Sequence, residues 1–265
     1  MADEALFTVV IPVYNREKMI RKAIKSVIRQ TYPYWKLLII DDASTDRTIQ
    51  RIRPFQNDKR IQVISLKENV GLAKVLNIAL EQVDTPYFVQ LDSDDWLEPC
   101  TLEELAKAIK KADPQTALFY GNCKFRRKKN GKWKVTKYIR HRSFTDKYDF
   151  LQYLTYSPVP RCFRTEALRE TGGWETDDPY EGRIMSDRRI CLKLIERYPF
   201  YWIDQYLYNC RRHRDRLTNK DSKEQRNELR KMVIEYYLKK WGNHYRPVYT
   251  KKYGYLKIKR LEKVE

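Results

Sequence analysis

The chain has 265 residues, 42% of them hydrophobic and 13% aromatic, which suits one α/β domain with a short appendage and excludes a disordered chain. Its apolar runs are too short to span a bilayer, its acidic start (MADEALFTVV) does not read as a signal peptide, and its five cysteines show no CxxC pair. With a net charge of +19, the expectation is a protein of the reducing cytoplasm, without a zinc site or disulfide framework, and able to touch an inner membrane face peripherally.

Phe7–Val13 (FTVVIPV) is β-branched and almost wholly apolar, as a strand covered on both faces would be. Glu17–Gln30 places Met19, Ile20, Ala23, Ile24, Val27 and Ile28 at helical spacing. Trp35–Ile40 predicts a second strand ending at Asp41-Asp42, Thr45–Arg53 a helix, Ile61–Leu66 a third strand and Gly71–Val83 a third helix. Tyr87–Leu91 predicts a fourth strand that runs into Asp92-Ser93-Asp94-Asp95. Strand and helix alternating through short connections imply a parallel sheet with helices on both faces. Ligands bind such sheets at the carboxyl ends of the strands, and three of those ends here are polar: Tyr14-Asn15, Asp41-Asp42 and Asp92–Asp95.

The second half is less regular. Leu102–Ala112 reads as a helix, Ala117–Gly121 as a short strand, and Lys124–Arg142 as a hairpin turning at Asn130-Gly131. Phe150–Tyr156, Thr165–Glu170 and Asp187–Glu196 are further helix candidates. Arg226–Trp241 carries Leu229, Val233, Tyr236, Tyr237 and Trp241 on one stripe, expected to pack on the domain or on a second copy in a homodimer. The organisation expected is a domain over residues 1–214 in two halves (1–100 and 101–214), followed by a basic helical extension over 215–265.

Charge follows the same division. Residues 1–100 hold 14 basic and 14 acidic residues, 101–150 hold 14 and 5, 151–200 hold 8 and 8, and 201–265 hold 18 and 8. Lys124–Arg142 alone has ten basic residues and no acid, with Phe125, Trp133 and Tyr138 interleaved, a composition that also suits single-stranded nucleic acid.

Carboxylates two apart at a strand end, such as Asp92 and Asp94, can converge on a hard divalent cation that neutralises a diphosphate; the same residues could be a plain acidic loop with Asp95 capping a turn. Neither a GxxxxGK[ST] loop nor a GxGxxG fingerprint is present, so cationic side chains and a metal would have to hold any phosphate. Asp187 opens an apolar-striped helix, either as an acid favoured by the helix dipole or as a general base. His213 lies among Arg211, Arg212 and Arg214, whose charge favours a neutral imidazole able to ligate metal, unless it is merely solvated.

Taken together, Val10-Ile11-Pro12-Val13-Tyr14-Asn15, Ser26–Tyr32 (SVIRQTY), Ile39–Asp46 (IIDDASTD), Asn69–Leu72, Leu91–Trp96 (LDSDDW) and Thr171–Glu175 (TGGWE) resemble the family 2 glycosyltransferases, inverting nucleotide-sugar enzymes of the GT-A fold. The motifs keep order and spacing over about residues 6–215. Arg51–Arg60 and Tyr198–Tyr201 look more narrowly like the spore-coat polysaccharide glycosyltransferases. The resemblance implies a UDP- or dTDP-sugar donor and a hydroxyl acceptor, such as an anionic glycan. Pro12, Val13 and Tyr14 would line the base pocket, Asp42 would bond the pyrimidine, Gly71 and Lys74 would face the nucleotide, and Asp92 with Ser93 would approach the ribose. Asp94 and His213 would hold Mn²⁺ or Mg²⁺, Asp187 would be the catalytic base, and Gly173 with Trp174 would form the acceptor wall. Relatives often carry Glu-Asp where this chain has Ser186-Asp187, and neither a QxxRW motif nor a membrane span argues for a processive synthase. The alternatives are a nucleotidyltransferase, whose glycine-rich N-terminal loop is missing from Ile11–Lys18, and a basic nucleic-acid or membrane-surface module, which leaves the acid-tipped strand ends unexplained.

Overall fold

The structure, a computed structural model, describes residues 4–154, 156–213 and 223–264. Strand β1 (Phe7–Val13) is buried along its whole length and pairs in parallel with β2 (Trp35–Asp41) on one side and β4 (Tyr87–Gln90) on the other. Beyond β2 lies β3 (Ile61–Ser65), also parallel. Alternate residues of one strand feed opposite layers, as the two-residue period requires. Val10, Leu38, Ile40 and Phe88 join one apolar cluster, while Val9, Ile11, Leu37, Ile39 and Val89 join another on the far face. Helix α3 (Leu72–Gln82) covers the first layer through Val75, Leu76 and Ala79. The second is covered by α1 (Ile20–Ile28), through Ile20, Ala23, Ile24 and Val27, and by α4 (Thr101–Ile109). The helix expected over Thr45–Arg53 is shorter: α2 spans Thr48–Ile52 and tightens into a 3₁₀ turn at Arg53–Phe55, where Pro54 cannot extend it.

The second half adds β5 (Trp96–Leu97), β6 (Leu118–Lys129), β7 (Lys132–Ile139), β8 (Arg161–Arg164) and β9 (Phe200–Arg211) to the same sheet. The order is β3-β2-β1-β4-β8-β6-β9-β5, with β7 paired to β6, nine strands among the described residues. Strand β8 is antiparallel to both β4 and β6, whereas β6 and β9 run parallel. The short strand and separate hairpin expected at 117–142 are therefore one long strand, β6, turning at Asn130 (φ 51°) and Gly131 (φ 74°) into β7. Helices α5 (Lys147–Gln152), α6 (Thr165–Glu170) and α7 (Ser186–Ile195) follow near their expected places.

The C-terminal region departs from expectation. Helix α8 (Lys223–Lys240) forms as predicted, but β10 (Tyr245–Lys252) and β11 (Tyr255–Lys263) follow as an antiparallel pair, so the region is not purely helical. Nor is it a detached appendage. Leu229, Val233, Ile234, Tyr237 and Leu238 enter the cluster that holds α3 and α7, and the Trp241 indole donates to Glu196 Oε1 at 2.8 Å. Tyr236 leaves the predicted stripe and is exposed, with Ile234 taking the buried position. The proposed start of the extension at residue 215 lies outside the described residues. Among those residues, no helix is long and apolar enough to cross a membrane.

Candidate active site

Parallel pairing brings the carboxyl ends of β1, β2 and β4 to one edge of the sheet. Asn15, at positive φ after β1, accepts from the backbone nitrogens of Thr45 (2.8 Å) and Asp46 (3.3 Å), clasping the loop after β2. The Asp42 carboxylate accepts from Val70 N (2.7 Å), Gly71 N (3.0 Å) and Asn69 Nδ2 (2.9 Å), which fixes the turn into α3. Both of its oxygens are thus engaged in holding a loop rather than turned over to a pyrimidine. Its neighbour Asp41 is buried, with Oδ1 lacking a hydrogen-bond partner, and burial raises its pKa. Pro12 reaches the cleft, Tyr14 is half-buried, and Val13 instead packs in the core. Gly71 sits at φ +87°, where an added Cβ would lie 3.0 Å from the Arg183 guanidinium carbon, so Arg183 crosses directly over it. Lys74 faces Glu181 at 3.5 Å and is not part of the cleft lining.

The cleft itself, about 380 Å³, is lined by Pro12, Asp92, Ser93, Asp94, Arg161 and Asp187 among others. Arg161, at the start of β8 and only 4% exposed, holds the site together. One Nη donates to Asp92 Oδ1 at 2.6 Å and the other lies 3.7 Å from Asp187 Oδ2. Burial alone would lower its pKa, but Asp92, Tyr208 and Asp187 outweigh that and raise it, so the guanidinium stays charged. Asp187 stands in the first turn of α7, which the chain enters through Met185 in the left-handed region (φ 58°). Burial pushes its carboxyl up, yet Arg188, Arg161 and the Ser157 hydroxyl together hold it below the ordinary carboxylate value.

Asp94 and His213 meet at Oδ2···Nε2 2.8 Å, although 119 positions separate them. Asp95 is buried and accepts from Arg211 N at 2.7 Å, which ties the end of β9 to the acidic loop and places His213. No group of three potential ligands converges among the described residues. Two donors at this separation nevertheless fit one hard cation in place of their mutual hydrogen bond, with the other positions left to substrate oxygens and water.

Several contributors carried no local signal in the sequence. Arg161 opens a four-residue strand, and Arg183, Arg188 and Arg226 belong to no distinctive motif, yet all line the cleft. His141 also lines it, buried, with Nδ1 2.7 Å from the Tyr153 hydroxyl and Nε2 without a partner.

The expected acceptor wall is not where Gly173 and Trp174 lie. Trp174 is 2% exposed, packed on Phe88 (5.4 Å between ring centroids) and Phe163 (5.9 Å), with no open ring face for a sugar. Gly173, at φ +63°, closes α6 through its N–H to Leu168 O at 2.8 Å. Asn77 of α3 then accepts from Trp174 N and donates to Trp174 O, both at 2.8 Å. The TGGW segment clamps α6 to α3.

A curled α/β sheet, parallel through its first half, with helices on both faces and an acid-lined cleft at the strand ends defines the GT-A class of nucleotide-sugar transferases. The family model for glycosyl transferase family 2 matches residues 8–172, more than half of the chain, which therefore belongs to that family. Among curated relatives, the putative teichuronic acid biosynthesis glycosyltransferase TuaG of Bacillus subtilis is 39% identical over 100 residues, 37% of this chain and 40% of that protein. The Escherichia coli UDP-Glc:alpha-D-GlcNAc-diphosphoundecaprenol beta-1,3-glucosyltransferase WfgD is 30% identical over 158 residues, 59% of this chain and 56% of that protein. The match thus spans about half or less of either relative's length. Among solved structures, Staphylococcus aureus TarS 1–349 in complex with UDP-GlcNAc aligns with a TM-score of 0.71 at 23% identity, covering 88% of this chain and 66% of that one.

Proposed function

We propose that the chain transfers a sugar from a UDP- or dTDP-sugar to an acceptor hydroxyl with inversion at the anomeric carbon, in the synthesis of a cell-envelope glycan. The observation that carries the reading is the Asp92–Arg161–Asp187 bridge across the cleft, which sets an ionised carboxylate opposite the acidic strand end. Asp187 removes the proton from the acceptor hydroxyl, which attacks the anomeric carbon as the nucleoside diphosphate departs from the opposite face. Arg183 and Arg188, both on the cleft wall, add fixed positive charge toward the departing diphosphate. Asp94 and His213 are the residues that would hold Mn²⁺ or Mg²⁺, which when bound supplies charge neutralisation for that leaving group. Pro12 and Ser93 line the donor side of the cleft, and Tyr14, half-buried two residues after Pro12, is a further donor-side candidate. The envelope setting rests on the relatives, whose names place them in teichuronic acid and lipid-linked glycan synthesis rather than in spore-coat assembly.

The test is a panel of nucleotide sugars assayed for nucleoside diphosphate release with and without Mn²⁺, followed by the anomeric configuration of the product by NMR. An α-linked donor should yield a β-linked product. Retention, or no turnover of any UDP- or dTDP-sugar, would overturn the proposal.

A further inference from the structure

Outside the cleft, a groove of about 770 Å³ lies between α1 and the β6–β7 hairpin. Its two walls are cationic. Helix α1 contributes Arg21, Lys22 and Lys25, β6 contributes Arg127 and Lys128, and Arg211 of β9 closes one side. Lys18 and Arg29 extend the helical wall, at positions three or four residues from their basic neighbours, so the whole stripe lies on the face of α1 opposite its buried Ile20, Ala23, Ile24 and Val27. Residues 1–100 balance in charge as a segment, and folding sets five of their cations, Lys18, Arg21, Lys22, Lys25 and Arg29, against those of the hairpin.

The one acid in the lining, Glu98, is already engaged by Lys124 (2.9 Å) and Arg126 (3.5 Å). Among the described residues, no ion pair engages Arg21, Lys22, Lys25, Arg127 or Lys128. Burial first, and then the like charges of Arg211, Arg126, Arg29 and Lys128, bring Lys22 down to about 8. The groove also has a direction. Its lining includes His213, whose imidazole bonds Asp94 on the cleft side, so groove and cleft meet at that pair.

We propose that this groove binds an acceptor chain linked by phosphodiesters and leads it to the cleft; the inference rests on the glycosyl-transfer reading and names the acceptor class. Spaced anionic phosphates on a flexible chain match two facing rows of cations at the scale of helix and strand repeats. Nucleic acid is disfavoured because single-stranded bases need open aromatic faces. The two tryptophans present pack against each other at a tilt, with centroids 4.9 Å apart, and the Lys22 ammonium sits over both rings, 3.9 Å from Trp96 and 4.8 Å from Trp133. A membrane surface is disfavoured because the site is concave and none of the exposed large apolar side chains lies in it.

The experiment is fluorescence anisotropy of the full chain with a labelled glycerol-phosphate oligomer of about six units, at low and moderate salt. UDP binding is measured in parallel. The expected result is salt-sensitive binding that weakens at least about tenfold in the variant R21Q/K25Q/R127Q/K128Q, all exposed positions, with UDP affinity unchanged. No binding, binding unaffected by the four substitutions, or tighter binding of an oligothymidylate or of phosphatidylglycerol vesicles would overturn the groove's assignment. Oligomer binding that depends on the four cations in a chain unable to bind UDP would support the groove and overturn the donor reading instead.

Discussion

The Arg161 guanidinium lies 3.7 Å from Asp187 while its other arm holds Asp92 at 2.6 Å. The predicted catalytic base and the predicted ribose-side acid are therefore joined through one buried arginine. Asp187→Asn keeps the shape and a hydrogen-bond acceptor but removes the proton acceptor. Transfer should fall by about 10²–10⁴, the usual contribution of a positioned base. UDP affinity, measured by titration calorimetry, should stay within about twofold, because the carboxylate acts on the acceptor. Wild-type turnover in this variant would displace Asp187 from its role.

The acid side of the pH profile follows from the same bridge. Because Arg188, Arg161 and Ser157 overcome burial, Asp187 titrates below the ordinary carboxylate range. It remains ionised as pH falls from neutral, so the acid limb of kcat/KM should lie below that range. The linked stability has the same sign: it is present above the unfolded carboxylate pKa and is lost as pH falls through the lower folded value. Arg161→Gln removes one counter-charge while Arg188 and Ser157 remain, so the limb should move toward higher pH, while Arg161→Lys should largely restore it. A limb that stays in place in Arg161→Gln would mean that Arg161 does not set the charge on Asp187.

For the metal, His213→Ala should leave the fold intact, since the side chain is held by Asp94 at the cleft rather than in either apolar cluster. The Mn²⁺ concentration giving half-maximal activity should rise by an order of magnitude or more, in line with losses seen on removing groups around bound metals. Mn²⁺ binding followed by electron paramagnetic resonance should weaken in parallel in Asp94→Asn. Unaltered Mn²⁺ binding in both variants would show that the pair serves only as a hydrogen bond.

Much of the first half was legible because β1, β2 and β4 are apolar runs that end in acids, and helix spacing fixes α1 and α3 between them. The remainder was hidden for physical reasons. Strand β9 mixes aromatics, Asp204 and Asn209 without a clean period, since its middle is exposed while its last five residues are buried. Strand β8 is four residues with an arginine at each end, too short for a periodic signal, and only its pairing with β4 and β6 buries Arg161. Strands β10 and β11 turn at Tyr253 and Gly254, both at positive φ, and a tyrosine there gives none of the usual Asn or Asp signal. The apolar spacing of α1 leaves its cations on the opposite face, and only the fold shows which other cations they meet.

Trp174 offers the sharpest contrast between motif and position. A sugar platform would leave its fold stability nearly unchanged on substitution and raise acceptor KM. The buried indole against Phe88 and Phe163 demands the reverse: Trp174→Ala should cost about 3–5 kcal/mol of stability, as aromatic truncation in a core does. The milder Trp174→Phe should lower the denaturation midpoint while acceptor KM in the folded enzyme stays put. Gly173→Ala tests the same clamp from the backbone, since φ +63° alone costs about 1–2 kcal/mol with a side chain. The new Cβ would also fall 2.4 Å from Asn77 Oδ1, forcing apart the contact that joins α6 to α3. Raised acceptor KM at unchanged stability in Trp174→Phe would return the residue to the acceptor wall.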